Sequence, residues 1–397
     1  MNKQSFDSPL RRQAMSYPAL ARQQIECIKK GMRDQRFPPE QVLKKLRTIY
    51  ISGCGDCSAA YMAVEPIMKK LMGSSGKVIA DLPVHMSRYV NLYENAASPE
   101  QADSCMMMLL SVGGSPSRLV ECIRRGKRLG INTIAVTNSP NSPVATEAAF
   151  LMNVNNPPFA DMSPGCRDYL GTMLGTLLLT AHIAELSGRS PAGSFDRLCE
   201  DIVSLADSYA QVMERMDNTM YELAAELHNK VRRVECVADG SQAATAMLFA
   251  AKVIETSGRY GSFTDSTGFC DSLNFRKPEE ILTVIYGHSK SASRESIAEA
   301  VRLAHKAGRE LLFIADKHPA DFGIEAKIRY YVLPDKSSLL PGLSPLFDHL
   351  PTDLLAAYLS EFWQGSYFRA GMVNSPWKNP DIIAPRESQI KIVEEGL

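Results

Sequence analysis

The run Ser111-Val-Gly-Gly-Ser-Pro-Ser117 has the residue types that grip an anion. It joins an apolar run to a helical one, so backbone N–H groups at the helix start, with Ser115 and Ser117 beside them, suit a phosphate. A second turn of small residues, Gly53-Cys-Gly-Asp-Cys-Ser58, also opens a helix, and its two glycines let the backbone bend sharply and come close to a ligand. Cys54 and Cys57 have the spacing of a redox pair, whose thiol pKa a helix start lowers. The same residues also read as fillers of a tight turn lining a ligand loop, and no second CxxC or histidine pair completes a zinc site. Gly53 and Gly55 begin a dinucleotide fingerprint, but the third glycine is missing and Asp81 alone supports it.

These loops need elements to hold them. Cys105 to Ser111 is a continuous apolar run of the kind buried on both faces of a parallel sheet. Arg118 to Leu129 places Leu119, Val120, Ile123 and Leu129 near one side of a helix that Gly130 can cap, and Ile131 to Val136 is the next strand. Such a unit closes as a right-handed parallel crossover with its loop at the carboxyl edge of the sheet, where open α/β sheets bind ligands. Upstream, residues 1–10 read as disordered, Ala19 to Gln35 as a helix and a short helix follows Pro38-Pro39. Arg47 to Ser52 reads as a buried strand, Ala59 to Met72 as a helix and Lys77 to Asp81 as a strand. Downstream come a Pro-rich loop from Thr137 to Ala145, an edge-like strand from Ala149 to Asn153 and a buried apolar helix from Leu170 to Leu186.

From Asp196 to Leu227, Leu198, Ile202, Leu205, Tyr209, Val212 and Met216 recur at helical spacing and predict one long connecting helix. The pattern then repeats. Strand Val234 to Ala238, helix Ala243 to Ser257, strand Ile281 to Tyr286, loop Gly287 to Ser293, helix Arg294 to Ala307 and strand Glu310 to Ala315 follow in order. Ser117-Arg118 and Ser293-Arg294 occupy matching places about 176 residues apart, which marks a duplication.

The 397 residues exceed the size at which one core keeps growing, so two domains are expected. With 45% apolar and 22% charged residues the composition is that of an ordinary soluble protein. Lys and Arg equal Asp and Glu at 44 each, which argues against a broad nucleic-acid surface. No stretch of about 18 uninterrupted apolar residues occurs, the first residues show no secretory signal, and an odd count of nine cysteines fits a reduced, cytoplasmic setting.

With the duplicated unit in view, the chain resembles the double SIS (sugar isomerase) family, nearest to the isomerase half of glucosamine-6-phosphate synthase and to fructosamine-6-phosphate deglycases. The resemblance runs over about residues 12–385. It rests on Gly53-Cys-Gly-Asp-Cys57, on Ser111 to Ser117 as a variant of a Ser-x-Ser-Gly-x-Thr loop, on Thr137 to Ala145, on Lys252-Val-Ile-Glu255 and on Pro345 to Tyr358. It implies an α/β fold of two tandem SIS domains, each a flavodoxin-like parallel sheet between helices. The boundaries are an N-terminal helical segment 1–45, a first SIS domain 46–190, a connecting helix 191–230, a second SIS domain 231–375 and a tail 376–397.

The resemblance also implies roles. Cys57, Ser58, Ser111, Gly113, Ser115 and Ser117 become phosphate contacts, with Thr137 and Asn138 nearby. The catalytic carboxylate falls on Glu255, with Lys252 one turn before it, and such a carboxylate shuttles a proton between C1 and C2 of an opened sugar. No metal or organic cofactor is needed, because the substrate's carbonyl is the electron sink. Gly113, Pro116 and Cys57 replace hydroxyl residues of relatives, and a Gly-Glu-x-x-His-Gly segment has become Thr267-Gly-Phe-Cys-Asp-Ser-Leu-Asn274. Asp271 or Ser272 then stands in for the histidine, with His288 and His349 as further candidates or as loop-capping residues. Lys378 in Ser375-Pro-Trp-Lys either reaches over the pocket or is a surface charge. The implied partners are a phosphorylated sugar or sugar–amine and further copies of the chain in a homodimer or larger assembly, with no nucleic acid or membrane. A second reading is a phosphosugar sensor without catalysis.

Overall fold

Runs such as Cys105-Met-Met-Met-Leu-Leu110 are too apolar for a sheet with one wet face, and they form strands covered on both sides. In the computed structural model, which describes residue 3 and residues 6–160, 164–334, 342–365, 367 and 389–392, ten strands make two parallel sheets of five. The described residues fall into two units. The first is drawn from Leu20–Pro158, Arg167–Val203 and Asn379–Leu397, the second from Met1–Ala19, Phe159–Cys166 and Ser204–Lys378.

The first unit holds β1 (Thr48–Gly53), β2 (Lys77–Ala80), β3 (Cys105–Leu110), β4 (Asn132–Thr137) and β5 (Phe150–Asn153) in the order β2-β1-β3-β4-β5. The second holds β6 (Arg233–Val237), β7 (Gly261–Thr264), β8 (Ile281–Gly287), β9 (Glu310–Ala315) and β10 (Arg329–Val332) in the order β7-β6-β8-β9-β10. The two orders are the same, as a duplication requires. The fold class is the α/β doubled sheet expected.

Helices α1 (Pro9–Gly31), α2 (Glu40–Lys45), α3 (Asp56–Met72), α4 (Pro83–Arg88), α5 (Pro99–Asp103), α6 (Ser117–Arg128), α7 (Pro143–Glu147) and α8 (Arg167–Leu186) occupy the first half of the chain. Helices α9 (Ser194–Ala210), α10 (Met213–Leu227), α11 (Gln242–Ser257), α12 (Ser266–Asp271), α13 (Arg294–Lys306) and α14 (Leu350–Phe362) follow. Helix α8 is long and apolar enough to cross a membrane by length and composition, and 83% of its most apolar window is buried.

Several expectations need correction. Helix α1 begins ten residues before the expected Ala19 and runs through Pro18. Ser8 Oγ accepts the Arg11 N–H at 3.3 Å, Pro9 suits the first turn, and Leu10, Ala14, Tyr17 and Ala21 form one buried stripe across the proline. Phe6, expected in a disordered stretch, is buried with its ring 4.8 Å from that of Phe362. The single connecting helix is two helices, broken at Gln211-Val212 with no glycine or proline to mark it. The units divide at Ala19/Leu20, within α1, and at Val203/Ser204, within α9.

Candidate functional site

Sheet register brings the expected ligand loops together. Gly53, the last residue of β1, pairs with Leu110, the last of β3, and Leu110 pairs with Val136 of β4. The loops after β1, β3 and β4 therefore leave the sheet at one level. The order in which strands are added reverses between β1 and β3, and a crevice at such a switch point is where doubly wound sheets take ligands.

Each loop is braced from within. Gly55 has φ of 56°, a conformation that favours glycine, and it turns the chain into α3. Ser58 Oγ donates to the Gly55 carbonyl at 2.6 Å, and Ser111 Oγ accepts the Gly114 N–H at 2.9 Å. Thr137 Oγ1 donates to the Val112 carbonyl at 3.1 Å and accepts the Ser139 N–H at 3.0 Å. Asn138 Oδ1 accepts the Asn156 N–H at 2.8 Å. Four of the expected phosphate contacts thus shape the loops. The Cys57 thiol is buried against the Val112 N–H and the Thr172 hydroxyl, and burial pushes its pKa up to about 12. Burial raises the Cys54 thiol too, so the pair is opposite in character to a reactive dithiol.

The donors that face outward are fewer. Gly113 is exposed, with no atom within 4 Å of where a Cβ would stand. The N–H groups of Gly113 and Ser115, and the Ser115 hydroxyl, meet no protein acceptor among the described residues. Pro116 precedes α6 and gives it no side-chain cap, while Ser117 is buried in its first turn. Sequence reasoning missed Ser142 and Thr172. Ser142 caps α7 ahead of Pro143, a start signal legible in the sequence, and presses on Gly114.

In the matching loop of the second unit a carboxylate of the chain itself takes up donors. Asp316 is buried, its Oδ1 accepting the Ser289 N–H at 2.7 Å and its Oδ2 the Ser289 Oγ–H at 2.5 Å. His288 Nδ1 accepts the Lys290 N–H at 3.1 Å while its Nε2 lies 3.8 Å from Asp316. Asp239 likewise takes the Ser266 N–H and hydroxyl, both at 2.8 Å. His349 is wholly buried between Asp353 (2.7 Å) and the Tyr17 hydroxyl (2.9 Å).

Helix α11 carries the expected acid–base pair. Lys252 Nζ lies 2.8 Å from Glu255 Oε2, the lysine side chain 1% exposed and the glutamate 29%. Gly258, with φ of 67°, caps the helix just after it. A carboxylate in a last helical turn meets the negative end of the helix dipole, which the lysine offsets. Because α11 starts where β6 ends and finishes beside the start of β7, Glu255 sits toward the amino edge of the second sheet. Asp271, exposed at the end of α12, and His288, after β8, follow the carboxyl ends of their strands, so the second unit does not bring them to Glu255. Lys378 lies outside the described residues. Among the described residues, no cluster of three or more His, Cys, Asp or Glu is arranged to hold a metal.

Known structures share this architecture. The C-terminal domain of glucosamine-fructose-6-phosphate aminotransferase from Francisella tularensis superposes with a TM-score of 0.76 at 13% identity, over 92% of this chain and 99% of that one. Tagatose-6-phosphate ketose/aldose isomerase from Escherichia coli gives 0.67 at 14% identity, over 95% and 99%. The chain has the tandem SIS fold. Glucosamine-6-phosphate deaminase from Thermotoga maritima gives 0.60 at 12%, over 91% and 96%. At these identities the likeness is one of fold. No family model matches the chain. In sequence it is 25% identical over 197 residues to glutamine–fructose-6-phosphate aminotransferase (isomerizing) of Clostridium tetani, a match spanning 48% of this chain but 29% of that protein.

Proposed function

We propose that the protein binds a phosphorylated sugar in the first SIS unit and moves a proton between C1 and C2 of the opened sugar. The outcome is aldose–ketose isomerisation or, from a fructosamine 6-phosphate, an aldose imine whose C–N bond water hydrolyses to give glucose 6-phosphate and the free amine. One contrast supports this reading above all. The first crevice presents the Gly113 and Ser115 amides with no acceptor among the described residues, while at the equivalent positions of the second unit the Ser289 amide donates to Asp316 and the Ser291 amide to the His288 carbonyl. An anion is the ligand that completes such a loop.

In this reading the phosphate lies against residues 113–117 and Glu255 is the acid–base group. Lys252 is its electrostatic partner. The substrate carbonyl supplies the electron sink, so the chemistry runs without a cofactor. We assign a homo-oligomer, on the strength of the resemblance, and a reducing cytoplasmic setting, which nine cysteines with no disulfide among them support. The missing histidine segment favours the second reading, a phosphosugar sensor.

Incubation with fructose 6-phosphate and fructosamine 6-phosphates, following glucose 6-phosphate, separates the two. Turnover that disappears in Glu255→Gln while thermal stabilisation by the phosphosugar remains supports catalysis. Stabilisation without turnover, the same in that variant, supports sensing. Absence of both overturns the proposal.

A further inference from the structure

At the amino edge of the second sheet, away from every loop assigned above to sugar binding, Arg233 of β6 pairs in register with Ile281 of β8. Their strands floor a cleft of about 680 Å³ walled by Arg233, Tyr260, Arg276, Lys277, Glu279 and Glu280. That volume is within the range of about 300–1,000 Å³ usual for small-molecule sites.

Positive charge exceeds negative there. Glu235, buried beneath, is shared between Arg309 at 2.9 Å and Arg276 at 2.7 Å. Arg233 and Lys277 are exposed and have no carboxylate within ion-pair distance among the described residues. Arg259 adds to the field, its guanidinium 4.7 Å from the Trp363 ring, with Arg232 and Glu280 as its charged neighbours. Glu280 has φ of 61°, and its carbonyl accepts the N–H groups of Arg232 at 2.7 Å and Arg233 at 3.1 Å, which fixes both at the rim. An aromatic face is also on offer. Tyr260 is 50% exposed with the Arg276 guanidinium 5.7 Å from its ring, and Phe275 is 81% exposed.

We infer that this cleft binds a nucleotide, its base against Tyr260 and its phosphates across Arg233, Arg276 and Lys277. Cations with an adjoining ring face select for a ligand carrying both phosphate and an aromatic base. Glu279 and Glu280 on the rim, and a chain with balanced charge, oppose a long nucleic acid.

The test titrates the full chain with ATP, tripolyphosphate, adenosine and an oligouridylate by calorimetry. ATP is expected to bind at least about tenfold tighter than adenosine or tripolyphosphate, and to weaken with added salt. Arg233→Ser with Lys277→Ser should cost ATP affinity about tenfold or more, with an unchanged melting temperature and circular dichroism spectrum to show that the variant is folded. Tyr260→Leu should weaken ATP and leave tripolyphosphate unaffected. Absence of ATP binding at millimolar concentration overturns the inference. So does ATP binding that the double variant leaves intact, tripolyphosphate binding as tight as ATP, or an oligouridylate that binds tighter than ATP. Glu255 lies on this same edge, five residues before Tyr260, but the sugar-phosphate reading is tested by phosphosugar turnover and by the loop at residues 113–117 of the first unit, so ATP binding and that reading fail separately.

Discussion

The Lys252 ammonium, 1% exposed, sits 2.8 Å from the Glu255 carboxylate one helical turn later. A lysine so deeply placed keeps its charge only with a partner at hand, and the partner is the residue assigned to proton transfer.

Replacing Lys252 by Met conserves bulk and removes the charge. Removing one partner of an ion pair costs stability, but Glu255 is 29% exposed and water can solvate the carboxylate left behind, so the melting temperature is expected to fall by less than for a fully buried pair. Turnover of fructosamine 6-phosphate is expected to fall by about tenfold or more, because Glu255 loses the group that holds it. Steady-state kinetics beside a thermal melt checks both.

Adjacent glycines should respond in opposite ways. Gly113→Val projects into open space and is expected to leave stability unchanged while raising the KM for a phosphosugar about tenfold. Gly114 has φ of 63° and faces the Ser142 side chain, so Gly114→Ala should cost about 1–3 kcal/mol, read by urea denaturation.

Glu235→Ala leaves the Arg309 guanidinium, fully buried, without its 2.9 Å carboxylate. A loss of about 3–5 kcal/mol in chemical denaturation is expected. Pairing it with Arg309→Met should recover much of that loss.

Glu185 accepts the Phe195 N–H at 2.8 Å, the Gly193 N–H at 3.1 Å and the Ser194 hydroxyl at 3.2 Å, binding the first turn of α9. The Phe195 amide above all holds its pKa below the usual 4.5. The folded state therefore binds this proton more weakly than the unfolded one. Its contribution is complete above pH 4.5 and disappears as pH falls through the folded value. Glu185→Gln should cost about 1 kcal/mol at neutral pH and flatten the acid limb of a stability-against-pH curve.

With its pKa pushed up to about 12, the Cys57 thiol is about one part in ten thousand ionised at pH 8. Iodoacetamide is expected to leave it unmodified in the native protein and to alkylate it in urea, as peptide mass spectrometry would read.

Much of the fold was legible because its strands are continuous apolar runs. Glu310 to Ala315 and the helix around Leu119 and Ile123 fall where their patterns put them. The strand Gly261-Ser-Phe-Thr264 was not legible, being four residues long, half exposed and opened by a glycine. It pairs with β6 through backbone groups that leave no mark on the residue types. The Ser111 to Ser117 loop was readable from its spacing. What its hydroxyls do was not, since Ser111 and Thr137 turn inward to partners fixed only by the folded loops. The Asp316 contact to Ser289 joins residues 27 apart across a strand boundary, beyond any periodicity.

That carboxylate has a wider meaning for how a doubled chain ages. Twin halves with the same strand order begin as equals. Once Asp316 supplies from within what a bound anion would supply from outside, its half no longer needs a guest to be complete. Asp316 thus makes that half's loop self-contained, while the strand order of the two halves stays the same.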